Sequence, residues 1–435
     1  MIIKLESIIN NDLCSGCGGC SGICPVNAIT IDIQKSYKPD IDMNKCIKCN
    51  LCYQVCPGKG WEPVKQSERR CAEQKIEMDM EYGPVREFYL GKAVDNKVLQ
   101  SGASGGVGTA LLLYLLDEKI VEDVVVVTLD RGIPKVIVTS NIDVIKSAGG
   151  SKYIPIPLME KVIHELHKRP RKIAITVTPC QMAALENVIN IDKYIDRDLI
   201  YAIGLFCGDV KDIKSLSVIK NKLNVGSDSQ FLGWRYGKWP GGAAFRMKDK
   251  SLRIESYKSF LEISQPFYTL HRCLMCPSRE NWLADIALAD NHKGKSNDTV
   301  IVARTNKGHE LLCKANTAGV ITLNKMGEKD SDNFYVSLTK FVPALQYIKY
   351  RERRKLPTPK YDYNPILYLQ KTTRRLRMTK LVRYKMFIYT RNKYVLKFLT
   401  KYPVVMSRIG RFINNFPDEL PGLRIYRKLI KSLIR

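Results

Sequence analysis

Short apolar runs alternate with longer amphipathic segments through the middle of the chain. A run such as Val121–Leu129 predicts a buried strand, whereas the Leu-rich segment that follows Thr109 predicts an apolar helix. Strands that alternate with helices are typical of an α/β body. The predicted strands are Val121–Leu129, Lys135–Thr139, Lys172–Val177, Ile200–Phe206, Leu283–Asp290, Thr299–Ala303 and Gly319–Leu323. The predicted helices are Pro157–Lys168, Met182–Ile189, Lys211–Leu223 and Asn306–Ala315.

Two of these strands are followed by cysteines. Thr178-Pro-Cys-Gln181 comes directly after Lys172–Val177, and Cys207 comes directly after Ile200–Phe206. Ligands and chemistry gather at the carboxyl ends of strands in open α/β sheets. We therefore expect Cys180 and Cys207 at the functional edge of the sheet.

A loop of small residues, Ser101–Thr109, leads directly into the apolar helix. Bare backbone N–H groups at a helix N-terminus can hold a phosphate, and glycine lets the backbone approach it closely. An ordinary tight loop explains the same residues equally well.

The N-terminal segment replaces apolar periodicity with cysteines. The pattern C-x2-C-x2-C-x3-C-P occurs twice, and in such repeats the fourth cysteine ligates the other cluster. This predicts two [4Fe-4S] clusters, the first bound by Cys14, Cys17, Cys20 and Cys56 and the second by Cys46, Cys49, Cys52 and Cys24.

Zinc and disulfides are the alternative interpretations of these cysteines. Zinc sites usually pair two C-x2-C hooks, and disulfides need an oxidising compartment. The N-terminus carries an acid, Glu6, and has neither a secretory nor a transit signal, so we expect a cytoplasmic protein. No apolar run reaches membrane-spanning length.

Further cysteines remain in the body. Cys273-x-x-Cys276 is a new hook, and with Cys180 and Cys207 it would supply four thiolates. A third [4Fe-4S] cluster, an all-cysteine zinc site and simple packing all remain open for this set. We expect Cys71 to be a free surface thiol or a packing thiol, and we expect Cys313, inside a predicted helix, to pack in the core.

The net charge of +27 belongs mainly to the C-terminal end, because residues 349–435 hold 24 Lys and Arg against four Asp and Glu. Basic and apolar residues interleave there, which predicts amphipathic helices. Such helices can lie on an anionic membrane, dock on an acidic partner or cap the body. No motif indicates nucleic-acid binding.

The motifs in the body resemble the family of coenzyme F420 hydrogenase/dehydrogenase beta subunits over roughly residues 85 to 335. The fused N-terminal segment resembles the electron-input subunit of F420H2 dehydrogenases. The motifs that carry the resemblance are Ser104-Gly-Gly106, Ser151-Lys-Tyr153, Thr178–Gln181, Gly204–Cys207, Cys273-x-x-Cys276, Leu283–Ile286 and Val302–Gly308.

The resemblance implies an FAD-binding body with one [4Fe-4S] cluster beside the flavin, which favours a cluster at Cys180, Cys207, Cys273 and Cys276. The flavin contacts that it implies are Ser104, Gly105, Gly106, Lys152, Tyr153 and Arg304. The chain departs from the family at Ala289-Asp290, where Gly-Asp is usual, and at His292, where an aromatic residue is expected. A changed substrate pocket would follow.

We therefore predict an α+β protein that consists of a dicluster ferredoxin domain (1–65), a linker (66–97), an α/β flavin body (98–170 and 171–335) and a basic helical tail (336–435). The predicted function is an iron–sulfur flavoprotein oxidoreductase. Coenzyme F420 or another organic substrate would exchange hydride at FAD, and a partner protein or small molecule would exchange single electrons. No side-chain nucleophile or acid–base pair is expected. A ferredoxin-type adaptor with a degenerate flavin body is the alternative.

Overall fold

The fold was determined as a computed structural model. It describes residues 4–79, 82–226, 228–237, 240–291, 297–327, 337–363, 386 and 393–414. His292 and half of the predicted basic tail lie outside the described residues.

Helices and strands alternate as the apolar pattern predicts. In chain order the strands are β1 (Ile29–Thr30), β2 (Asp40–Ile41), β3 (Gly60–Trp61), β4 (Met78–Asp79), β5 (Gly83–Pro84), β6 (Glu87–Ala93), β7 (Asp123–Asp130), β8 (Ile133–Thr139), β9 (Ile173–Val177), β10 (Ile200–Leu205), β11 (Gln230–Tyr236), β12 (Gly242–Arg246), β13 (Leu252–Ser256), β14 (Ile286–Asp290), β15 (Thr299–Ala303), β16 (Ile321–Lys325) and β17 (Lys360–Tyr361).

The helices are α1 (Lys4–Asn10), α2 (Gly19–Gly22), α3 (Leu51–Gln54), α4 (Pro63–Gln74), α5 (Asn96–Ser101), α6 (Val107–Asp117), α7 (Ile142–Ser147), α8 (Leu158–Lys168), α9 (Pro179–Ile191), α10 (Lys214–Lys222), α11 (Tyr257–Tyr268), α12 (His271–Leu274) and α13 (Asn306–Thr317). Helices also span Ser337–Glu352, Lys393–Lys401 and Pro403–Asn414, and short 3₁₀ helices span Pro57–Lys59 and Arg197–Leu199.

A mixed sheet of eight strands lies at the centre of the described body, in the order β16-β6-β15-β14-β10-β9-β7-β8. Strands β7, β9, β10 and β14 run parallel, and the outer pairs are antiparallel. The predicted strand ends at Thr178 and Cys207 therefore lie at one edge of a parallel region. Strands β11 to β13 form a separate antiparallel sheet.

Helices cover both faces of the sheet, because alternate residues of a strand face opposite sides. Ile173, Ile175 and Val177 of β9 pack with α8 and α9, whereas Ala174 packs with α6 and α13. Burial of these apolar side chains, at about 1.5–3 kcal/mol each, gives the body its stability.

The N-terminal ferredoxin segment packs against α8 through glycines. A Cβ on Gly18, whose φ is +85°, would stand 2.7 Å from the carbonyl oxygen of Pro157. A Cβ on Gly22 would stand 2.9 Å from the carbonyl oxygen of Met159. Only glycine at these positions lets α2 approach α8 so closely.

The predicted linker 66–97 is instead largely structured. It includes most of α4 and the whole of β6, which lies inside the sheet between β15 and β16. The buried positions of β6 are Tyr89, Gly91 and Ala93. Two of these three residues are small, so the strand has no strong apolar signal in the sequence.

The first part of the predicted tail holds the ferredoxin segment to the body. We name residues 337–363 the strap. Strand β17 of the strap pairs in parallel with β3, with Lys360 opposite Gly60. Tyr347 and Ile348 of the strap pack with Leu5 and Ile8 of α1.

The helices Lys393–Lys401 and Pro403–Asn414 cover α11. Met406 is fully buried there beside Ile263 and Phe267. The guanidinium of Arg411 donates to the carboxylate of Glu262 at 3.0 Å. This described part of the tail therefore packs on the body, and its role stays a prediction. Within the described residues, no helix combines the length and apolarity needed to cross a bilayer.

Candidate functional site

A cavity of about 610 Å³ opens at the carboxyl edge of the parallel strands. Its walls include Gly106 at the start of α6, Thr178 after β9 and Cys207 after β10. Cys17 of the ferredoxin segment closes another side. The volume lies within the range of about 300–1,000 Å³ that is usual for cofactor sites.

The small-residue loop presents the first turn of α6 to this cavity. Ser104, Gly106, Val107 and Thr109 all line it. Gly106 is the N-cap with φ +72°, and no side chain caps the helix. The loop thus has the form of an anion-binding helix N-terminus.

Gly105 differs from its two neighbours, because it packs against the sheet and is not among the residues that line the cavity. Its N–H donates to the hydroxyl of Thr299 at 2.9 Å, and the hydroxyl of Ser104 lies 2.8 Å from the same oxygen. A Cβ on Gly105 would stand 2.8 Å from the carbonyl oxygen of Gly91. The N–H of Gly105 is therefore engaged and is not offered to a phosphate.

Lys152 lines the cavity and closes the loop that follows α7. Its ammonium group donates to the carbonyl oxygens of Gly149 and Gly150 at 3.0 and 2.9 Å, and also to that of Ala148. Burial lowers the pKa of Lys152 to about 8. The side chain is thus a loop-closing cation whose charge state is sensitive to mildly alkaline pH.

Tyr153 belongs to a polar corner that sequence reasoning missed. Arg235 donates to the carboxylate of Asp290 at 2.6 Å and to the hydroxyl of Tyr153 at 3.3 Å. The guanidinium of Arg235 lies 4.8 Å from the ring centroid of Tyr257, and the two tyrosine hydroxyls are 3.4 Å apart. Burial, followed by the neighbouring Tyr153, raises the pKa of Tyr257, so this phenol stays protonated.

Asp290 belongs to the segment in which the chain departs from the family pattern, and here it forms an ion pair with a cation from another strand. No local signal links Arg235 to Asp290, because they are 55 residues apart in the chain.

The cavity has more cationic than anionic side chains. Lys152, Lys211 and Arg279 line it together with Asp209 and Asp290. Lys211 pairs with Asp209, and its ammonium group lies 5.7 Å from the ring centroid of Tyr153. A small excess of positive charge suits an anionic ligand.

Arg304, predicted as a flavin contact, is not among the residues that line this cavity, so the prediction is corrected here. Its guanidinium is buried and donates to the carbonyl oxygens of Tyr82, Pro84 and Glu280 at 2.6–2.8 Å. Arg304 therefore ties three loops together.

The neighbouring family motif around Asp285 is also structural. The carboxylate of Asp285 accepts from the backbone N–H of Ala202 at 2.8 Å, from Arg197 at 3.1 Å and from the hydroxyl of Thr305 at 3.2 Å. A Cβ on Gly308 would overlap the carbonyl of Asp285. Asp285 thus joins its own segment to residues 197–202 and to residues 305–308.

Thiols of the first predicted cluster set lie together, largely buried. Gly16 and Gly58 donate their N–H groups to the sulfurs of Cys14 and Cys56 at 3.4 and 3.3 Å. The thiol of Cys20 interacts electrostatically with those of Cys56, Cys14 and Cys17. Burial raises the pKa of Cys14, Cys17 and Cys56 each to about 12. Such thiols ionise readily only when a metal centre supplies positive charge.

Thiols of the second set also lie together, nearer the surface. The thiol of Cys52 interacts with those of Cys49, Cys24 and Cys46, and Ala28 donates its N–H to the sulfur of Cys24 at 3.3 Å. Cys49 is exposed. The donor chemistry of both sets, eight unpaired thiols with backbone N–H···S contacts, fits a pair of iron–sulfur clusters.

The third set is joined through shared neighbours. Cys180, on the first turn of α9, and Cys276 both interact electrostatically with Arg272. Cys207 donates its N–H to the carbonyl oxygen of Arg279 at 3.0 Å, so its loop lies beside the C-x-x-C hook. The N–H of Cys276 donates to the carbonyl oxygen of Cys273 at 3.3 Å, which closes the hook into a turn.

The first and third thiol sets meet. Cys180 interacts electrostatically with both Cys14 and Cys17, and both Cys17 and Cys180 line the cavity. All fourteen cysteines lie within the described residues, and none of them forms a disulfide bond. Among the described residues, no three His, Cys, Asp or Glu side chains form a group suited to a single metal ion.

Cys71 and Cys313 lie apart from these sets. Cys71 is buried in α4, as expected of a packing thiol. Cys313 is exposed on α13, so the prediction that it packs in the core is wrong.

Comparison with known families gives matches over three ranges of the chain. Residues 170–329 match the C-terminal part of the beta subunit of coenzyme F420 hydrogenase/dehydrogenase, and residues 88–163 match the N-terminal part of the same protein. Residues 13–59 match a 4Fe-4S dicluster domain.

Two curated relatives show how far the similarity extends. The F subunit of the F(420)H(2) dehydrogenase from Methanosarcina mazei is 25% identical over 205 residues, which cover 47% of this chain and 56% of that protein. The coenzyme F420-dependent sulfite reductase of Methanocaldococcus jannaschii is 23% identical over 326 residues, which cover 71% of this chain and 47% of that protein. The chain thus spans about half the length of these curated relatives.

The fold is similar to a chain of the F420-reducing [NiFe] hydrogenase complex from Methanosarcina barkeri. The TM-score is 0.54 at 20% sequence identity, and the match covers 66% of this chain and 100% of that chain. At this identity the likeness establishes the fold alone.

Proposed function

Because the chain belongs to the family of coenzyme F420 hydrogenase/dehydrogenase beta subunits and carries a 4Fe-4S dicluster domain, we propose that it is an iron–sulfur flavoprotein oxidoreductase. A coenzyme F420-like deazaflavin, or another organic hydride donor or acceptor, is its substrate. One observation carries the proposal. A single cavity is lined by the loop before α6, by Cys17 of the first thiol set and by Cys180 and Cys207 of the third.

FAD is the cofactor proposed for this cavity, where it would exchange two electrons as hydride and pass them on singly. The first turn of α6, from Gly106 to Thr109, would hold its phosphates. Lys152 fixes the loop on the other side and adds positive charge. Tyr153, held by Arg235 and Lys211, provides a fixed aromatic and polar wall.

Three [4Fe-4S] clusters are proposed for the three thiol sets. The third and first sets both adjoin the cavity and each other, and the second set lies beyond the first, since Cys17 and Cys180 line the cavity and Cys20 adjoins Cys52. The exposed Cys49 makes the second set the point at which a partner protein would exchange electrons. Electrons can move in either direction along this order.

Anaerobic purification followed by assays of iron, sulfide, zinc and flavin tests the proposal. About twelve irons per chain with FAD supports it, because each cubane holds four. About eight irons without flavin would favour the alternative, a ferredoxin-type adaptor whose body has lost its cofactor. Zinc in place of the last four irons would assign the third set to a zinc site.

The substrate is tested separately with the loaded protein. When reduced coenzyme F420 is mixed anaerobically with the loaded protein, the absorbance of the flavin and of the clusters should decrease. A loaded protein that does not respond to the deazaflavin but is reduced by another hydride donor would leave the flavoenzyme standing and reject this substrate.

A further inference from the structure

Arg272 is a fully buried guanidinium that lacks a carboxylate partner among the described residues. Its side chain is 2% exposed, and its Nη2 donates to the carbonyl oxygen of Pro57 at 2.7 Å. Nε and Nη1 have no hydrogen-bond partner in the part of the chain that the structure describes. The hydroxyl of Tyr361 is close, but neither nitrogen donates to it in hydrogen-bond geometry.

The charges of other buried arginines in the body are balanced by carboxylates or by backbone carbonyl oxygens. Arg197 pairs with Glu186 and Asp285, and Arg235 pairs with Asp290. Arg304 donates to three backbone carbonyls. A buried charge without such partners is unfavourable, so the surroundings of Arg272 must supply negative charge in another form.

The surroundings of Arg272 consist of aromatic rings and thiols. The guanidinium lies 5.5 Å from the ring centroid of Trp61, in the ferredoxin segment, and 5.5 Å from that of Tyr361, in the strap. It interacts electrostatically with Cys276 and Cys180 of the third set. It also interacts electrostatically with Cys56 of the first set, the residue before its hydrogen-bond partner Pro57.

We propose that Arg272 is a positioning residue whose positive charge is shared by the first and third thiol sets and raises the reduction potential of the cluster bound at each. The inference rests on the proposed clusters. A cubane ligated by four thiolates carries net negative charge, and its potential depends on net charge and hydrogen bonding nearby. Arg272 supplies both the charge and the hydrogen-bond donors, because its guanidinium is a cation and its Nε and Nη1 have no other partner among the described residues.

The sign follows from the charge change on reduction. One electron is added to the cluster, no covalent bond forms or breaks, and no proton is taken up. The added negative charge is stabilised by the guanidinium, so removal of the guanidinium charge lowers the potential. The second set does not contact Arg272 in the interactions described, and its cluster should keep its potential.

Redox titration of the full chain, purified anaerobically and followed by electron paramagnetic resonance, tests the proposal. Arg272→Gln and Arg272→Met remove the charge, and Arg272→Lys keeps it. In both neutral variants we expect the ratio of reduced to oxidised cluster at a fixed potential to fall about tenfold for the first and third sets, equivalent to about 59 mV for a one-electron couple. Arg272→Lys should restore most of the ratio, and the second cluster should serve as an internal reference.

Arg304→Gln is the matched control, since Arg304 is equally buried and lies away from the three thiol sets. Unchanged ratios in iron-replete Arg272→Gln and Arg272→Met, or an equal fall in Arg304→Gln, would overturn the proposal. If the neutral variants lose iron and Arg272→Lys retains it, a requirement for a cation is supported. Iron loss in all three would assign Arg272 to packing and overturn it.

Failure of the proposed function is distinguishable from failure of this inference. If the wild-type chain holds only about eight irons, it has no third cluster. The first cluster, ligated by Cys56, is still present, and its potential can still be compared between wild type and the Arg272 variants. Conversely, a full complement of clusters whose potentials ignore Arg272 leaves the oxidoreductase intact and rejects the inference alone.

Discussion

The backbone N–H of Met159 donates a hydrogen bond to the carbonyl oxygen of Cys17 at 3.0 Å. This contact ties the first cysteine loop to the start of α8, and so to the body. Asn187 of α9 makes a second tie, from its side-chain amide to the carbonyl oxygen of Val55 at 3.2 Å. The ferredoxin segment is therefore packed on the body, and its Cys17 lines the cavity.

Gly18→Ala should loosen this contact. Gly18 has φ +85°, and a Cβ there would stand 2.7 Å from the carbonyl oxygen of Pro157. We expect a loss of about 1–3 kcal/mol in the free energy of unfolding, together with slower electron transfer between cavity and clusters. Thermal unfolding and anaerobic stopped-flow reduction measure the two effects. Gly226→Ala is the control, since nothing lies within 4 Å of a Cβ at that exposed position. Equal behaviour of the two variants would contradict the packing described.

Cys180→Ser should remove the third cluster selectively. Iron is expected to fall from about twelve to about eight atoms per chain, because a serine oxygen is a poor substitute for a thiolate ligand. Iron and sulfide assays measure this. Cys313→Ser, a change at an exposed cysteine of α13, should leave the iron content unchanged. If iron is equal in wild type and Cys180→Ser, the third set binds no cluster.

Lys152 should make stability depend on alkaline pH. Burial lowers its pKa from 10.5 to about 8, so the unfolded chain holds more protons than the folded chain between these two values. The free energy of unfolding of the wild type should therefore rise, relative to Lys152→Met, as pH increases from about 8 to about 10.5. The change should amount to about 1–3 kcal/mol.

Denaturant unfolding at several pH values measures the Lys152 effect. Lys146→Met is the matched control, because Lys146 forms only a surface pair with Asp95 at 3.1 Å. A difference between wild type and Lys152→Met that does not vary with pH would show that this lysine is not desolvated.

Met406→Ala should release the helix Pro403–Asn414 from α11. Met406 is fully buried beside Ile263 and Phe267, so we expect a loss of about 2–5 kcal/mol and faster proteolysis between residues 393 and 414. Val404→Ala, at a position 58% exposed, is the control and should cost little. Flotation of both variants with anionic liposomes tests the membrane role. Stronger binding by the released variant alone would indicate that the cap hides a membrane-binding face.

The sequence predicts the parts of this protein that are encoded locally. The strand β9 is predicted by its own apolar run, and Cys180 by its place after that strand. The two cysteine repeats are periodic and short, so their grouping into sets follows from spacing alone. These features need no knowledge of distant residues.

Distant contacts account for what the sequence did not predict. Arg235 and Asp290, 55 residues apart, meet only because the end of β11 lies beside the end of β14 in the folded chain. Arg304 belongs to a family motif, yet its carbonyl partners, Tyr82, Pro84 and Glu280, come from two segments that are distant from it in the chain. The sequence did not predict strand β6, because its buried residues Gly91 and Ala93 are small and bury little apolar surface.

The parallel pairing of β17 with β3 joins two segments that the ribosome synthesises at different times. The ferredoxin loops leave the ribosome first and can take up iron while the body is still being synthesised. Their final seat is completed only when Lys360 reaches Gly60 and Asp362 accepts the N–H groups of Val64 and Lys65 at 3.1 and 2.7 Å. The seat of the ferredoxin segment is thus incomplete until the strap has been synthesised and has paired with β3.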